Sequence, residues 1–103
     1  MARKKLETLS EQMYYVLLVL REEMCGSQIV EAILTLTNQR VHLGPGTLYT
    51  ILAQFEEAMV IKETKVEGRK RSYQISEEGN RLLLSEYKRL LQMIADSDRW
   101  VNR

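Results

Sequence analysis

The spacing of apolar residues changes once along this chain and then changes back, and that alternation limits the folds open to it. Up to residue 59 the apolar positions recur every three or four residues. They are Met13, Val16, Leu17 and Leu20 with Tyr14 flanking, then Ile29, Val30, Ile33, Leu34 and Leu36, then Leu48, Ile51, Leu52 and Phe55. A period near 3.6 is that of a helix with one buried face. Between residues 60 and 75 the period is two. Val60, Lys62, Thr64 and Val66 fall on one side of a strand, with Ile61, Glu63 and Lys65 on the other, and a second strand runs through Ser72, Tyr73, Gln74 and Ile75. The helical period returns in Leu83, Tyr87, Leu90 and Ile94, with Leu84 and Leu91 at the flank.

Breaker residues divide these segments. Thr8 followed by Glu11 reads as a capping box for the first helix. Cys25-Gly26-Ser27 interrupts the pattern, with Ser27 as N-cap of the second helix. The polar run Thr37-Asn38-Gln39-Arg40 closes that helix, and Gly44-Pro45-Gly46, with the only proline, precedes a third that ends near Met59. Glu67-Gly68-Arg69-Lys70-Arg71 forms the hairpin tip, and Ser76 with Glu78 and Gly79 opens the last helix. Helix, helix, turn, helix, hairpin and long helix is the order of a winged helix-turn-helix with a helix appended. The expected fold is mainly α with a small β-hairpin. Residues 1–76 form the winged helix-turn-helix, with Arg3, Lys4 and Lys5 as a basic N-terminal arm, and residues 77–103 form a C-terminal dimerisation helix.

Composition narrows the function. A chain of 103 residues, 45% apolar and 28% charged, is globular. It buries only about 65% of its unfolded surface, so its core gains from a partner subunit. One cysteine, Cys25, and one histidine, His42, provide neither a disulfide nor a Cys/His zinc site, and no metal or cofactor is expected. No apolar run approaches the roughly 20 residues that span a bilayer. Glu7 and Glu11 interrupt the basic start, unlike a signal peptide. A cytoplasmic protein without a membrane partner is expected. No carboxylate pair, Ser/His/Asp set or phosphate-cradling loop points to an enzyme.

The formal net charge of +1 conceals an uneven distribution. Residues 21–59 hold two basic and five acidic residues, whereas residues 60–75 hold five basic and two acidic. The basic hairpin is therefore where an anionic partner would bind. The third helix turns Thr47, Thr50, Ala53, Gln54 and Glu57 away from its apolar face, with Tyr49 at the edge. Such a helix enters the DNA major groove by its N-terminal residues. Arg69, Lys70 and Arg71 on a wing would straddle the phosphate backbone. In the last helix Leu83, Tyr87, Leu90, Leu91 and Ile94 form the seam of a helix pair. They are the expected dimer interface, and Trp100 with Val101 is expected to clip the helix end onto the partner.

Two stretches carry a family resemblance. Gly46-Thr47-Leu48-Tyr49, Ile51-Leu52, Phe55-Glu56-Glu57 and Val60-Ile61 make the first; Gly68-Arg69-Lys70-Arg71-Ser72-Tyr73 and Ile75-Ser76-Glu77-Glu78-Gly79 make the second. Together with Met13-Tyr14-Tyr15-Val16-Leu17-Leu18 they resemble the PadR family of bacterial transcription regulators, in its compact branch with one C-terminal helix. The resemblance implies a homodimeric repressor on a pseudo-palindromic operator in double-stranded DNA. It implies DNA contacts from Thr47, Tyr49, Thr50, Gln54, Arg69, Lys70, Arg71 and Tyr73. It also implies a small aromatic effector, a phenolic acid or a planar cation, held beside Tyr87. The chain departs from the pattern in four places. Cys25-Gly26-Ser27 replaces a Tyr-Gly-Tyr-like element, Thr50 a common proline, and Met59 a glycine. Residues 47–58 contain no Lys or Arg. Phosphate affinity must then come from the wing, the arm and backbone N–H groups. The alternative is a winged-helix protein-interaction module that does not bind DNA.

Overall fold

A computed structural model describes residues 6–103. Arg3, Lys4 and Lys5 of the expected arm lie outside the described residues. The elements run α1 (Glu11–Val19), β1 (Met24–Cys25), α2 (Gly26–Leu36), α3 (Pro45–Glu57), β2 (Ile61–Glu67), β3 (Lys70–Ile75) and α4 (Glu77–Val101). The fold is mainly helical, as expected, but the hairpin is part of a three-stranded antiparallel sheet of order β1-β3-β2. Met24 pairs with Tyr73 and Cys25 with Ser72. A two-residue strand is too short to show a period, which is why the sequence reads as a break there.

Helix ends differ in detail from expectation. Ser10, not Thr8, caps α1, its hydroxyl accepting from the Met13 N–H at 3.2 Å. Cys25, not Ser27, is the N-cap of α2, because its backbone stays extended in β1 and its N–H donates to Gln28 Oε1 at 2.9 Å. Met59 adopts φ 62° just past α3. Its N–H reaches Glu56 O and that of Val60 reaches Phe55 O, both at 3.0 Å, which is a Schellman closure. A side chain in this left-handed conformation costs about 1 kcal/mol, offset here by two satisfied carbonyls. The turn also aims Val60 and Ile61 into the core.

The core lies where α1, α2 and α3 meet the root of the sheet. Leu17, Ile29, Ile33, Leu52 and Phe55 are at its centre. The expected alternation along β2 fails, since only Ile61 is buried and Lys62 to Glu67 are exposed. The hairpin projects past the core, so neither face of its outer half has anything to cover it. A bulge at Thr64, between the pairs Glu63–Tyr73 and Lys65–Ser72, bends the strand at that point.

The start of α4 is wedged against the sheet. Ser76 caps it, accepting from the Gly79 N–H at 3.0 Å and donating to Met59 O at 2.8 Å. A Cβ on Gly79 would overlap the Val60 carbonyl oxygen and lie 2.7 Å from Ile75 Cγ1, so only glycine allows this approach. Glu86 is buried, accepting from the Leu9 N–H at 2.6 Å and from Arg89 Nε at 2.6 Å. The guanidinium of Arg89, then the Leu9 N–H, hold its carboxyl below the usual range against the opposing effect of burial. From Leu90 to Arg103 every residue is exposed. A helix of 25 residues is roughly 38 Å long. Its outer half stands away from the domain, and the radius of gyration is 15.0 Å where a compact chain of this length has about 13 Å.

Candidate nucleic-acid interface

Gly44 and Pro45 set up the front of α3. Gly44 is its N-cap and Pro45 its first residue, where a missing N–H costs nothing. The N–H groups of Gly46 and Thr47 follow at the helix start. Leu48, Ile51, Leu52 and Phe55 anchor the helix, while Thr47, Tyr49, Thr50, Ala53, Glu56 and Glu57 are exposed and Gln54 is half-buried. The Thr50 hydroxyl donates to Gly46 O at 2.9 Å. The exposed face therefore carries hydroxyls, an amide and two carboxylates, and no cation.

The cations come from the hairpin. Gly68, at φ 64°, and Arg69 make a two-residue turn between Glu67 and Lys70, which pair across it. The tip is thus shorter than the sequence suggests, and Arg71 belongs to β3 opposite Val66. Arg69, Lys70 and Arg71 are all exposed. Arg71 has its guanidinium 3.5 Å from Glu63, a surface pair of small energy.

Wing and helices converge on one cleft of about 210 Å³, lined by Cys25, Gly26, Ser27, Tyr49, Arg69, Lys70, Arg71 and Tyr73. The start of α2 thus joins the wing and the edge of α3, a contribution the sequence reading missed because β1 is so short. A Cβ on Gly26 would sit 3.3 Å from the Tyr49 hydroxyl, so the absence of a side chain there lets the tyrosine lie over α2. The Ser27 hydroxyl, 3.4 Å from Cys25 Sγ, holds the thiol below its ordinary range, with the α2 backbone and Lys70 adding and burial opposing. Thr47 and Thr50 line a different hollow, with Ser10, Met13 and Gly46, and Gln54 lines neither.

Tyr73 lies at the base of that cleft: it is 4% exposed and belongs to the core cluster, so it supports the wing from beneath. Burial pushes its phenol up, and Glu56 adds to that. Leu83 is 7% exposed and packs into its own domain. Tyr87, Leu90, Leu91 and Ile94 remain exposed, at 50%, 37%, 51% and 66%.

Tyr87 also borders a second cleft, between α1 and α4, of about 480 Å³. Tyr14 and Tyr87 flank it, Leu18, Leu83 and Leu84 form its apolar lining, and Arg21 and Asn80 contribute polar groups. Burial raises the Tyr14 phenol, with Tyr87 next in effect. Among the described residues no helix is long and apolar enough to cross a membrane.

Comparison with known proteins agrees with this geometry. Residues 16–85 match the transcriptional regulator PadR-like family. A transcriptional regulator from Clostridium thermocellum superposes with a TM-score of 0.76 at 20% identity, covering 88% of this chain and 92% of that one. A PadR-like transcription factor from Bacteroides fragilis gives 0.68 at 20% identity, over 86% and 87%. Pex from Synechococcus sp. strain PCC 7942 gives 0.58 at 29% identity, over 82% and 85%. The chain matches no curated protein.

Proposed function

This chain belongs to the PadR-like family of transcriptional regulators, and on that premise we propose that it is a homodimeric repressor of a pseudo-palindromic operator, released by a small aromatic ligand. The observation that carries the DNA-binding half is the gathering of Arg69, Lys70 and Arg71 around one cleft with Ser27, at the start of α2, and Tyr49. Donors at a helix start and three cations suit a phosphate backbone. Thr47, Thr50 and Gln54 then face base edges from α3. With no cation on that helix, affinity rests on the wing and on pairing two copies.

The exposed stripe Tyr87, Leu90, Leu91 and Ile94 supports the dimer, since a soluble domain of this size rarely leaves such a row uncovered. Residues 77–103 are then the dimerisation unit and residues 1–76 the DNA-binding one. The cleft between Tyr14 and Tyr87 has the size and lining of a small-molecule site, and Arg21 at its edge favours an anionic aromatic over a planar cation.

Anisotropy titration of labelled promoter fragments tests the reading. Replacing Arg69 and Arg71 by alanine is expected to weaken binding on every sequence and to lower the salt slope by about one unit per lost phosphate contact. Unchanged binding would remove the wing from the interface. Tyr87→Ala is expected to impair effector binding by far more than it weakens the dimer. The exposed carboxylates Glu56 and Glu57 favour the second reading, a protein-interaction module. No retention on heparin and none on the chain's own promoter would select it.

A further inference from the structure

The outermost line of α3 holds no group suited to a guanine. Opposite the anchoring side chains Leu48, Ile51, Leu52 and Phe55 stand Thr50, Ala53 and Glu57, all exposed. At 100° per residue these three lie within roughly 60° of one another around the helix axis. The commonest specific contact to DNA is a guanidinium or ammonium on guanine O6 and N7, and residues 47–58 contain neither group. The Glu57 carboxylate presents only acceptors, which repel those two guanine atoms. Gln54, of the residue type that reads adenine, is half-buried and lies to one side of the line.

What the line does offer is apolar. The Thr50 hydroxyl donates to Gly46 O at 2.9 Å, four residues back on its own helix. Its one hydrogen is thereby committed within α3, which leaves the methyl group as the branch that Thr50 offers outward. Ala53, three residues on and next to it on the helix surface, adds a second methyl group. In the major groove the C5-methyl of thymine is the apolar group that a base edge presents, and the methyl groups of threonine and alanine are suited to it. Thr50 is also one of the positions at which this chain departs from the family pattern, so this chemistry is particular to the chain.

We infer that Thr50 and Ala53 are specificity-determining residues that select thymine, by packing their methyl groups against its C5-methyl in the major groove. This rests on the DNA-binding reading above and adds to it the base that α3 selects and the contact that selects it. The division of labour follows from the chemistry on each element. Cations on the wing hold phosphates, which fixes the helix in the groove without reading sequence, and the methyl groups on α3 supply the preference.

Duplexes selected by the full chain from a random pool are the probe, with each thymine of the selected site replaced in turn by deoxyuridine, which lacks only the C5-methyl. Anisotropy titration is expected to show about fourfold weaker binding at one or two positions and no change at the others. Thr50→Ser keeps the hydroxyl and removes the methyl. It is expected to bind about fourfold more weakly and to lose the sensitivity to deoxyuridine at one of those positions, a coupling that separate contacts would not show. Thr50→Val keeps the methyl and removes the hydroxyl, and is expected to bind and discriminate as the unaltered chain does. The opposite order, with Thr50→Val weakened and Thr50→Ser unchanged, overturns the inference by giving the contact to the hydroxyl. Deoxyuridine tolerated at every position overturns it as well, and leaves DNA binding itself standing. Failure of the chain to enrich any duplex removes the DNA-binding reading and this inference together.

Discussion

The two halves of α4 share one apolar rhythm and meet opposite surroundings. In the first half, Gly79 is jammed onto the Val60 carbonyl, Leu83 fills the core, and Glu86 is buried between Leu9 and Arg89. In the second, Leu90, Leu91, Ile94 and Trp100 are in water. The lesson is that periodicity reports which side of a helix is covered and not whose atoms cover it. Leu83 and Ile94 are equivalent in the pattern, yet one is packed into this fold and the other is exposed.

Urea unfolding of dilute, monomeric protein sharpens the contrast. Gly79→Ala has the largest expected effect, a loss of at least about 3 kcal/mol, because backbone must shift to admit the methyl group. Retained stability would mean that the root of the helix is loosely seated. Leu83→Ala is expected to cost about 2–3 kcal/mol through an unfilled space. Glu86→Ala should cost about 2 kcal/mol, as it strands the Leu9 N–H and the Arg89 guanidinium. The same carboxyl gives a pH signature. Its folded value lies below the ordinary 4.5, so its contribution is complete above the unfolded range and is lost as pH falls through the folded value. Glu86→Gln should flatten that acid limb. Ile94→Ala has the smallest expected effect on the monomer, under about 0.5 kcal/mol, and shows instead as a weaker dimer. If it unfolds the monomer as readily as Leu83→Ala, the distinction between the two halves collapses.

Much of this architecture was legible in the sequence. The 3.6-residue rows located every helix, and the shift to a period of two located the hairpin. β1 stayed hidden because two residues have no period. The burial of Tyr73 stayed hidden for a related reason: its motif neighbours Arg69, Lys70 and Arg71 are exposed, but β3 turns inward at Ser72, where the sheet reaches the core. The bulge at Thr64 likewise left no mark, since all of outer β2 is polar or exposed whatever its register. The caps slipped by two residues at α1 and α2 because Thr8, Ser10, Cys25 and Ser27 all supply a suitable side-chain atom, and tertiary contacts decide among them. The two clefts join residues far apart in the chain, which no local pattern encodes.

The wedge at Gly79 ties any tilt of α4 to the root of the hairpin. Its fulcrum would lie near Tyr87, and its short arm presses on Val60 and Ile75, from which the cationic hairpin springs. Tilting the rod by about 10° about that point moves Gly79, eight residues away, by roughly 2 Å.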